Sequence, residues 1–250
     1  MPISVTIITQ NEADNIEACL EAAKQVADEI VVVDSGSTDG TQQLCQIMGA
    51  RVIEQDFLGY VGQKNKATDA ATHDYILSLD ADEVLSEALI ASILAVKKNW
   101  EADAYRFNRL NHYNGHPIRY GGWYPDRKTR LFDRRKARWG GGQLHETIVV
   151  EKGATVKHLE GDLLHHSYQN IADHLARMNR YTDIMAAEAA AKGEFPSILK
   201  IIFAPIWKFW QMYLFKGGFL DGYYGFVVAV MGSYYKFLKY TKTREAQQNQ

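Results

Sequence analysis

The chain has 250 residues, 46% of them hydrophobic and 23% charged, with 28 basic against 30 acidic side chains and a formal net charge of −2. Such a chain makes one large domain, or one domain with an appendage, around a core of useful size. The near-neutral balance excludes a chain organised as a whole around nucleic acid. The two cysteines, Cys19 and Cys45, both fall in predicted helices and lack metal-like spacing; they argue against a disulfide framework, fit a reducing compartment, and read as small apolar core residues.

Met1-Pro2 runs straight into an apolar strand, with no charged leader and cleavage site, so a cytoplasmic location is expected. Ile3 to Thr9 is a continuous β-branched run, as in a strand buried on both faces. Ile16, Leu20, Ala23 and Val26 or Ala27 then recur at helical spacing, and Asp14 with Glu17 is placed for a capping box. Glu29 to Asp34 is a second buried strand that ends on a carboxylate. Residues 35–40 form a loop that opens a helix ending near Gly49. Arg51 to Glu54 is a short strand, a helix covers about Gly62 to Ala71, and Tyr75 to Leu79 is a fourth strand ending on Asp80-Ala81-Asp82-Glu83. Repeated strand–helix–strand order predicts an α/β fold, a mostly parallel, Rossmann-like sheet flanked by helices. In such sheets ligands bind outside the carboxyl ends of the strands.

The middle, Ala104 to Glu151, is rich in Gly, Trp, Tyr and Arg. Ala104 to Arg109 and Thr129 to Phe132 read as strands, and Gly140-Gly141-Gly142 as a flexible loop. Ile171 to Lys192 fits an amphipathic helix with Ile171, Leu175, Met178, Thr182 and Met185 on one face. Ser197 to Tyr240 is dense in aromatics, and the residues from Thr241 read as a polar frayed tail.

Asp80 and Asp82 are two positions apart, and in extended backbone alternate side chains face the same way. Two carboxylates so placed suit Mg²⁺ or Mn²⁺, which can bridge a diphosphate and neutralise charge as it leaves. An isolated Asp-x-Asp is as well explained by a solvated turn or a helix cap; the strand before it favours the site. Asp34 also ends a strand and can accept hydrogen bonds from a base or ribose. Thr9, Asn11 and Glu12 follow the first strand and can line the same crevice, whereas Asp39 reads as a cap.

Together Val5 to Glu12 (VTIITQNE), Val31 to Gly40 (VVVDSGSTDG) and Leu77 to Glu83 (LSLDADE) resemble the inverting family 2 glycosyltransferases of GT-A fold over roughly the first hundred residues. Gly59 to Ala67 and Leu144-His145-Glu146 resemble the WaaE/KdtX-type lipopolysaccharide core glycosyltransferases. The resemblance implies a GT-A catalytic domain over 1–170, with a nucleotide-binding half about 1–100 and an acceptor half about 101–170. A helical, membrane-associating extension over 171–240 and a polar tail over 241–250 follow. It implies a nucleotide-sugar donor, a UDP-sugar by preference, and a divalent metal. Asp34 would contact the nucleobase, Asp80 the ribose or metal-bound water, and Asp82 the metal, with Asn11 and Glu12 near the nucleotide and Lys64 reaching the diphosphate. Many relatives carry the base as the Asp of a Glu-Asp pair. No such pair occurs in the corresponding stretch here, and His145-Glu146 is the nearest counterpart, so Glu146 is assigned as the base with His145 as competitor. A late histidine serves some GT-A enzymes as a further ligand; His165 is assigned here, with His166 as alternative.

Arg119, Arg127, Lys128, Arg130, Arg134, Arg135, Lys136 and Arg138 face only Asp126 and Asp133, a local excess suited to a diphosphate or anionic acceptor, with Arg130 assigned to the donor. Ile198 to Phe215 is apolar except for an arc of Lys200, Lys208 and Gln211, and it contains Pro205. That pattern favours a helix lying in a membrane interface over a spanning one, at the cytoplasmic face of the inner membrane. The activity expected is transfer of a hexose, or a heptose, to a lipid-linked or lipopolysaccharide-core acceptor, with no nucleic-acid partner. A nucleotidyltransferase is the enzymatic alternative, though it wants a Gly-rich phosphate loop where Gln10-Asn11-Glu12 stands. A non-catalytic, membrane-bound nucleotide-sugar-binding protein is the other.

Overall fold

A computed structural model describes residues 1–142 and 145–248. The elements are β1 (Ile3–Thr9), α1 (Ile16–Lys24), β2 (Glu29–Asp34), α2 (Thr41–Ile47), β3 (Arg51–Glu54), α3 (Tyr60–Ala70), β4 (Tyr75–Asp80), β5 (Glu83–Leu85), α4 (Glu87–Lys98), β6 (Ala104–Tyr113), β7 (His116–Pro117), β8 (Asp126–Asp133), β9 (Ala137–Gly142), β10 (His145–Val150), β11 (Val156–Tyr168), α5 (Ile171–Ala191), α6 (Ile198–Trp210) and α7 (Gly222–Gln248). A π-helical turn, Gln211–Phe215, continues α6, and a 3-10 turn, Gly218–Asp221, precedes α7. The chain divides into two compact units. One comprises Met1–Arg109 and Asp126–His165; the other comprises Leu110–Pro125 and the chain from His166 onward.

One sheet runs in the order β3-β2-β1-β4-β8-β6-β11-β5, with β7 on β6, and β9 pairs with β10 as a separate ribbon. The expected parallel arrangement holds for β3, β2, β1 and β4. From β8 onward the pairing turns antiparallel: β4 with β8, β8 with β6, and β5 with β11. The central strands are apolar on both sides because helices cover both faces. Ile3, Val5, Ile7, Val32 and Leu77 are fully buried with Ile16 and Leu20 of α1 and with Leu89 and Ile93 of α4. Parallel strands end together at one edge, which brings Thr9 opposite Asp34 and Ile8 opposite Asp80.

At the other end of β2, Glu29 ties three segments together. It accepts from Ser4 Oγ of β1 (2.6 Å), from Arg51 of β3 (2.8 Å) and from the backbone N–H of Thr72 before β4 (2.7 Å). Burial alone would raise its pKa, but these donors outweigh that and lower it to about 2. Cys19 and Cys45 are buried free thiols, as their sequence context implies, and burial raises both.

Several local expectations change. The Asp14–Glu17 capping box does not form. Asn15 is the N-cap without a side-chain bond, and the Glu12 carbonyl instead accepts from the backbone N–H groups of Asn15 and Ile16. The N-cap of α2 is Gly40, without a side-chain bond; Asp39, one residue before it, accepts from the Thr41 N–H at 3.1 Å and so holds the first turn from outside the cap position. Gly140-Gly141-Gly142 is strand and not loop. It pairs with Glu146 and Thr147 of β10, and Gly140 lies so close to Val149 that a Cβ there would come within 2.9 Å of it. Gln143 and Leu144, the latter part of the motif ending in Glu146, lie outside the described residues, as does the His145 side chain. In the second unit α5 buries Met178 and Thr182 as expected, but then Ala186, Ala189 and Ala190; Ile171 and Leu175 are exposed. Small alanines let α7 approach that side closely. Residues 241–248, read as a frayed tail, continue α7, and Thr243 is buried.

Glu29 yields a pH prediction. Its folded pKa is depressed, so its contribution to stability is full above the unfolded value, about 4.3, and is lost as pH falls toward about 2. Glu29→Gln should lower unfolding stability at pH 7 by about 1–3 kcal/mol. In urea titrations across pH the gap to the parent should close on acidification; a gap that stays constant to low pH contradicts this account.

Candidate active site

The carboxyl edge of the first unit's sheet is built from loops stitched together by short polar side chains. The Asn11 N–H donates to Ser37 Oγ (2.8 Å), and the Thr38 N–H donates to Asn11 Oδ1 (2.9 Å). Asn11 adopts φ 56°, a conformation asparagine tolerates. The Glu12 N–H donates to Thr41 Oγ1 (2.9 Å), and the Glu12 carboxylate accepts from Asn15 (2.7 Å). Thr9 is buried, and its hydroxyl has no partner among the described residues. Asp34 is fully buried. Its carboxylate accepts from the N–H groups of Gly36 (3.0 Å) and Ser37 (2.9 Å), from the Ser37 hydroxyl and from Gln42. It therefore shapes the loop after β2.

Asp80 and Asp82 do not share one extended face. The chain turns at Ala81-Asp82, between β4 and β5, so the two carboxylates take different partners. Asp80 is held between two cations, Lys64 Nζ at 2.7 Å and Arg130 Nη2 at 2.7 Å. Burial works against its charge, but Lys64 and Arg130 outweigh that and hold the carboxyl well below the usual carboxylate range. Asp82 lies 3.3 Å from His165 Nε2. The ladder explains this meeting, since β11 places His165 opposite Glu83. His166 belongs to the second unit, where its ring lies over His112 with centroids 5.3 Å apart.

Lys64 is not the solvated helix lysine that its position on α3 alone allows. It is 1% exposed and reaches Asp80, Glu146 Oε1 at 3.4 Å, and the face of Trp139 at 4.3 Å from the ring centroid. The β9–β10 ribbon delivers both of those groups, and Asn65 of α3 grips the ribbon through both backbone groups of Trp139, at 3.0 and 3.3 Å. Arg130 stacks over the same indole at 5.1 Å.

Three residues of this cluster carried no role in the sequence reading: Glu83, Arg109 and Trp139. Glu83 is fully buried, accepts from the Asp80 N–H (3.0 Å), and pairs with Arg130 (2.9 Å) and Arg109 (3.2 Å). Arg109 also pairs with Asp126 at 2.8 Å. Burial opposes the charge on both arginines, but Glu83 and Asp80, joined at Arg109 by Asp126, together outweigh it and raise both pKa values. The sequence signal for Glu83 was its place directly after Asp82; Arg109 and Trp139 meet the site only through strand pairing.

The donor set fits a divalent cation that the protein holds by few ligands. Among the described residues no group of three His, Cys, Asp or Glu side chains converges as a cage. Asp82 and His165 form an adjacent oxygen–nitrogen pair, and Mg²⁺ or Mn²⁺ is often held by one or two side chains with phosphate oxygens filling the rest. Charge points the same way. Five carboxylates (Asp80, Asp82, Glu83, Asp126, Glu146) meet four cations (Lys64, Arg109, Lys128, Arg130), so a diphosphate enters an acid-rich site unless positive charge accompanies it.

Residues 4–158 match the model of Glycosyl transferase family 2. An uncharacterized glycosyltransferase of Rickettsia bellii is 32% identical over 97% of this chain and 86% of its own length. LpsC of Rhizobium meliloti, a lipopolysaccharide core biosynthesis glycosyltransferase, is 32% identical over 97% of this chain and 92% of its own. Among solved structures, the mannosyltransferase PcManGT from Pyrobaculum calidifontis in complex with GDP-Man and Mn²⁺ superposes with a TM-score of 0.56. It covers 96% of this chain and 86% of its own at 18% identity, a likeness of fold, here GT-A.

Glu83 generates the stability prediction of this site. Glu83→Ala leaves Arg109 and Arg130 as under-compensated buried charges and should cost about 3–5 kcal/mol, read from the urea midpoint. A loss under about 1 kcal/mol, the range of an exposed pair, contradicts the role given to Glu83.

Proposed function

The chain belongs to glycosyl transferase family 2, and on that premise we propose that it moves a sugar, with inversion, from a nucleotide-diphosphate donor to a lipid-linked or lipopolysaccharide-core acceptor. One observation carries the reading. A buried lysine and a buried arginine converge on Asp80 at a strand end, with Glu146 3.4 Å from that lysine and the Asp82–His165 pair on the neighbouring turn. UDP is the preferred nucleotide, and Asp34, Thr9, Asn11 and Glu12 form the loops that receive it. LpsC, similar along nearly the whole chain, favours a lipopolysaccharide-core acceptor, and with it a setting at the cytoplasmic face of the inner membrane.

In the displacement, Glu146 takes the proton of the acceptor hydroxyl as its oxygen bonds to the anomeric carbon. The bond from that carbon to the phosphate oxygen breaks on the opposite face. Lys64 and Arg130 stabilise the leaving nucleoside diphosphate, exchanging part of their pairing with Asp80 for phosphate oxygens. Trp139 presses on both cations and keeps water from them. A divalent ion, when bound, adds positive charge to the diphosphate, and Asp82 and His165 are the residues that would hold it.

The test is transfer from labelled nucleotide sugars to lipopolysaccharide-core and lipid-linked acceptors. Glu146→Gln should lower kcat by about 10²–10⁴-fold and leave KM for the donor within a factor of about three of the parent, since it removes a group needed only in the transition state. Undiminished kcat in Glu146→Gln removes Glu146 as the base. Absence of transfer across both acceptor classes with every nucleotide sugar removes the reading itself.

A further inference from the structure

Helix α6 is turned the wrong way for water. Phe203, Trp207 and Phe215 are 60%, 60% and 67% exposed, whereas two of the three polar-arc residues, Lys208 and Gln211, are partly covered and only Lys200, at the start of the helix, is exposed. A surface helix on a soluble protein shows the reverse arrangement. The exposed apolar surface continues through Phe219, Leu220, Tyr223 and Phe226 into α7, and a contiguous patch of this kind marks an interaction face.

Charge identifies what covers it. Between Phe195 and Arg244 the cations are Lys200, Lys208, Lys216, Lys236, Lys239, Lys242 and Arg244, against Asp221 alone. Lys242 pairs with Asp183 at 2.6 Å, but among the described residues the five other lysines are in no ion pair. Burial and neighbouring lysines lower the pKa values of Lys208 and Lys236, so these ammonium groups lack an anion to offset their mutual repulsion.

A groove of 390 Å³ runs between the two helices, lined by Ile201, Ile202, Pro205, Val230, Tyr234 and Phe237. Ser233 Oγ donates to the Pro205 carbonyl at 2.8 Å and fixes the helices together along it. One helical turn beyond Phe237, Lys200 and Lys236 flank the ring of Tyr240 at 4.8 and 5.8 Å. An apolar channel ending in two cations and a phenol has the chemistry of an acyl chain joined to a phosphate.

We propose that α6 and α7 bind the surface of an anionic phospholipid bilayer, with an acyl chain in the groove and its headgroup phosphate at Lys200, Lys236 and Tyr240. Spanning is disfavoured. Ile198–Phe215 is 18 residues, the short end of a span, and Lys208 stands near its middle, where a charge is costly. This inference sharpens the membrane setting proposed above but does not depend on the sugar chemistry.

The test uses the full chain with vesicles of phosphatidylcholine alone or with about one-third phosphatidylglycerol. Binding is read by flotation and by quenching of tryptophan fluorescence with lipids brominated on the acyl chain. Anionic vesicles should bind about tenfold tighter or more, and the preference should shrink with salt. Replacing Lys200→Ser and Lys236→Ser together should weaken anionic binding roughly fivefold per lysine, and Phe203→Asp should abolish quenching on both vesicle types. All three side chains lie at the surface or on its edge, and an unchanged thermal midpoint certifies the fold. Equal binding to neutral vesicles, indifference to the lysine pair, or a dimer that forms without lipid and hides the face each overturns the proposal. Vesicle binding needs no donor: a chain that binds lipid but transfers nothing sinks only the transfer reading, and one that transfers without binding lipid sinks only this one.

Discussion

The candidate site depends on one interaction, the grip of Lys64 and Arg130 on Asp80. Each partner comes from a different element: Lys64 from α3, Asp80 from the end of β4, and Arg130 from β8. Buried ion pairs give little net stability over an apolar packing of the same shape. Their value here is positional. The same two cations bear on Trp139, the lysine reaches Glu146, and the arginine reaches Glu83. On the proposed reading a diphosphate offers the cations the same oxygen chemistry with more charge, and exchange of partners accompanies its binding.

Period and placement made the first half of the fold legible. β-branched runs at Ile3–Thr9 and Glu29–Asp34 are strands with those bounds, because a parallel sheet covered on both faces needs uninterrupted apolar residues, and Arg51–Glu54 is the shorter, more exposed strand at the sheet edge. The second half was less legible for a physical reason. Strands β6 and β8 mix buried and half-exposed positions, and Gly140–Gly142 carries no side chains to show a period, so its strand character comes entirely from pairing with β10. In the candidate site, Asp80 and Asp82 were singled out by their place at a strand end and His165 by the family resemblance. That Asp80 and Asp82 turn to different partners could not be read from the sequence, because it follows from the two-residue turn before β5 and the register of β11. Arg109 and Trp139 looked like any other members of a basic, aromatic stretch.

The C-terminal helices show a complementary limit. Composition identified an apolar segment with a narrow polar arc, but sequence does not say which arc faces outward. Packing against α7 puts the polar arc inward at Lys208 and leaves Phe203 and Trp207 outside. The second unit keeps its own core of Tyr113, Ile118, Met178, Met212 and Val228, so the outward apolar surface is not a core lacking its cover.

The central claim is that the Asp80–Asp82 edge receives a nucleotide sugar together with a divalent ion. Thermal unfolding with a panel of nucleotide sugars, with and without Mn²⁺, tests it most directly, because a ligand bound only to the folded state raises the midpoint. At least one nucleotide sugar should raise Tm in the presence of Mn²⁺ and far less in its absence, and Asp82→Asn should remove the metal-dependent part. Equal stabilisation without metal, undiminished in Asp82→Asn, or no stabilisation by any nucleotide sugar, would contradict the account.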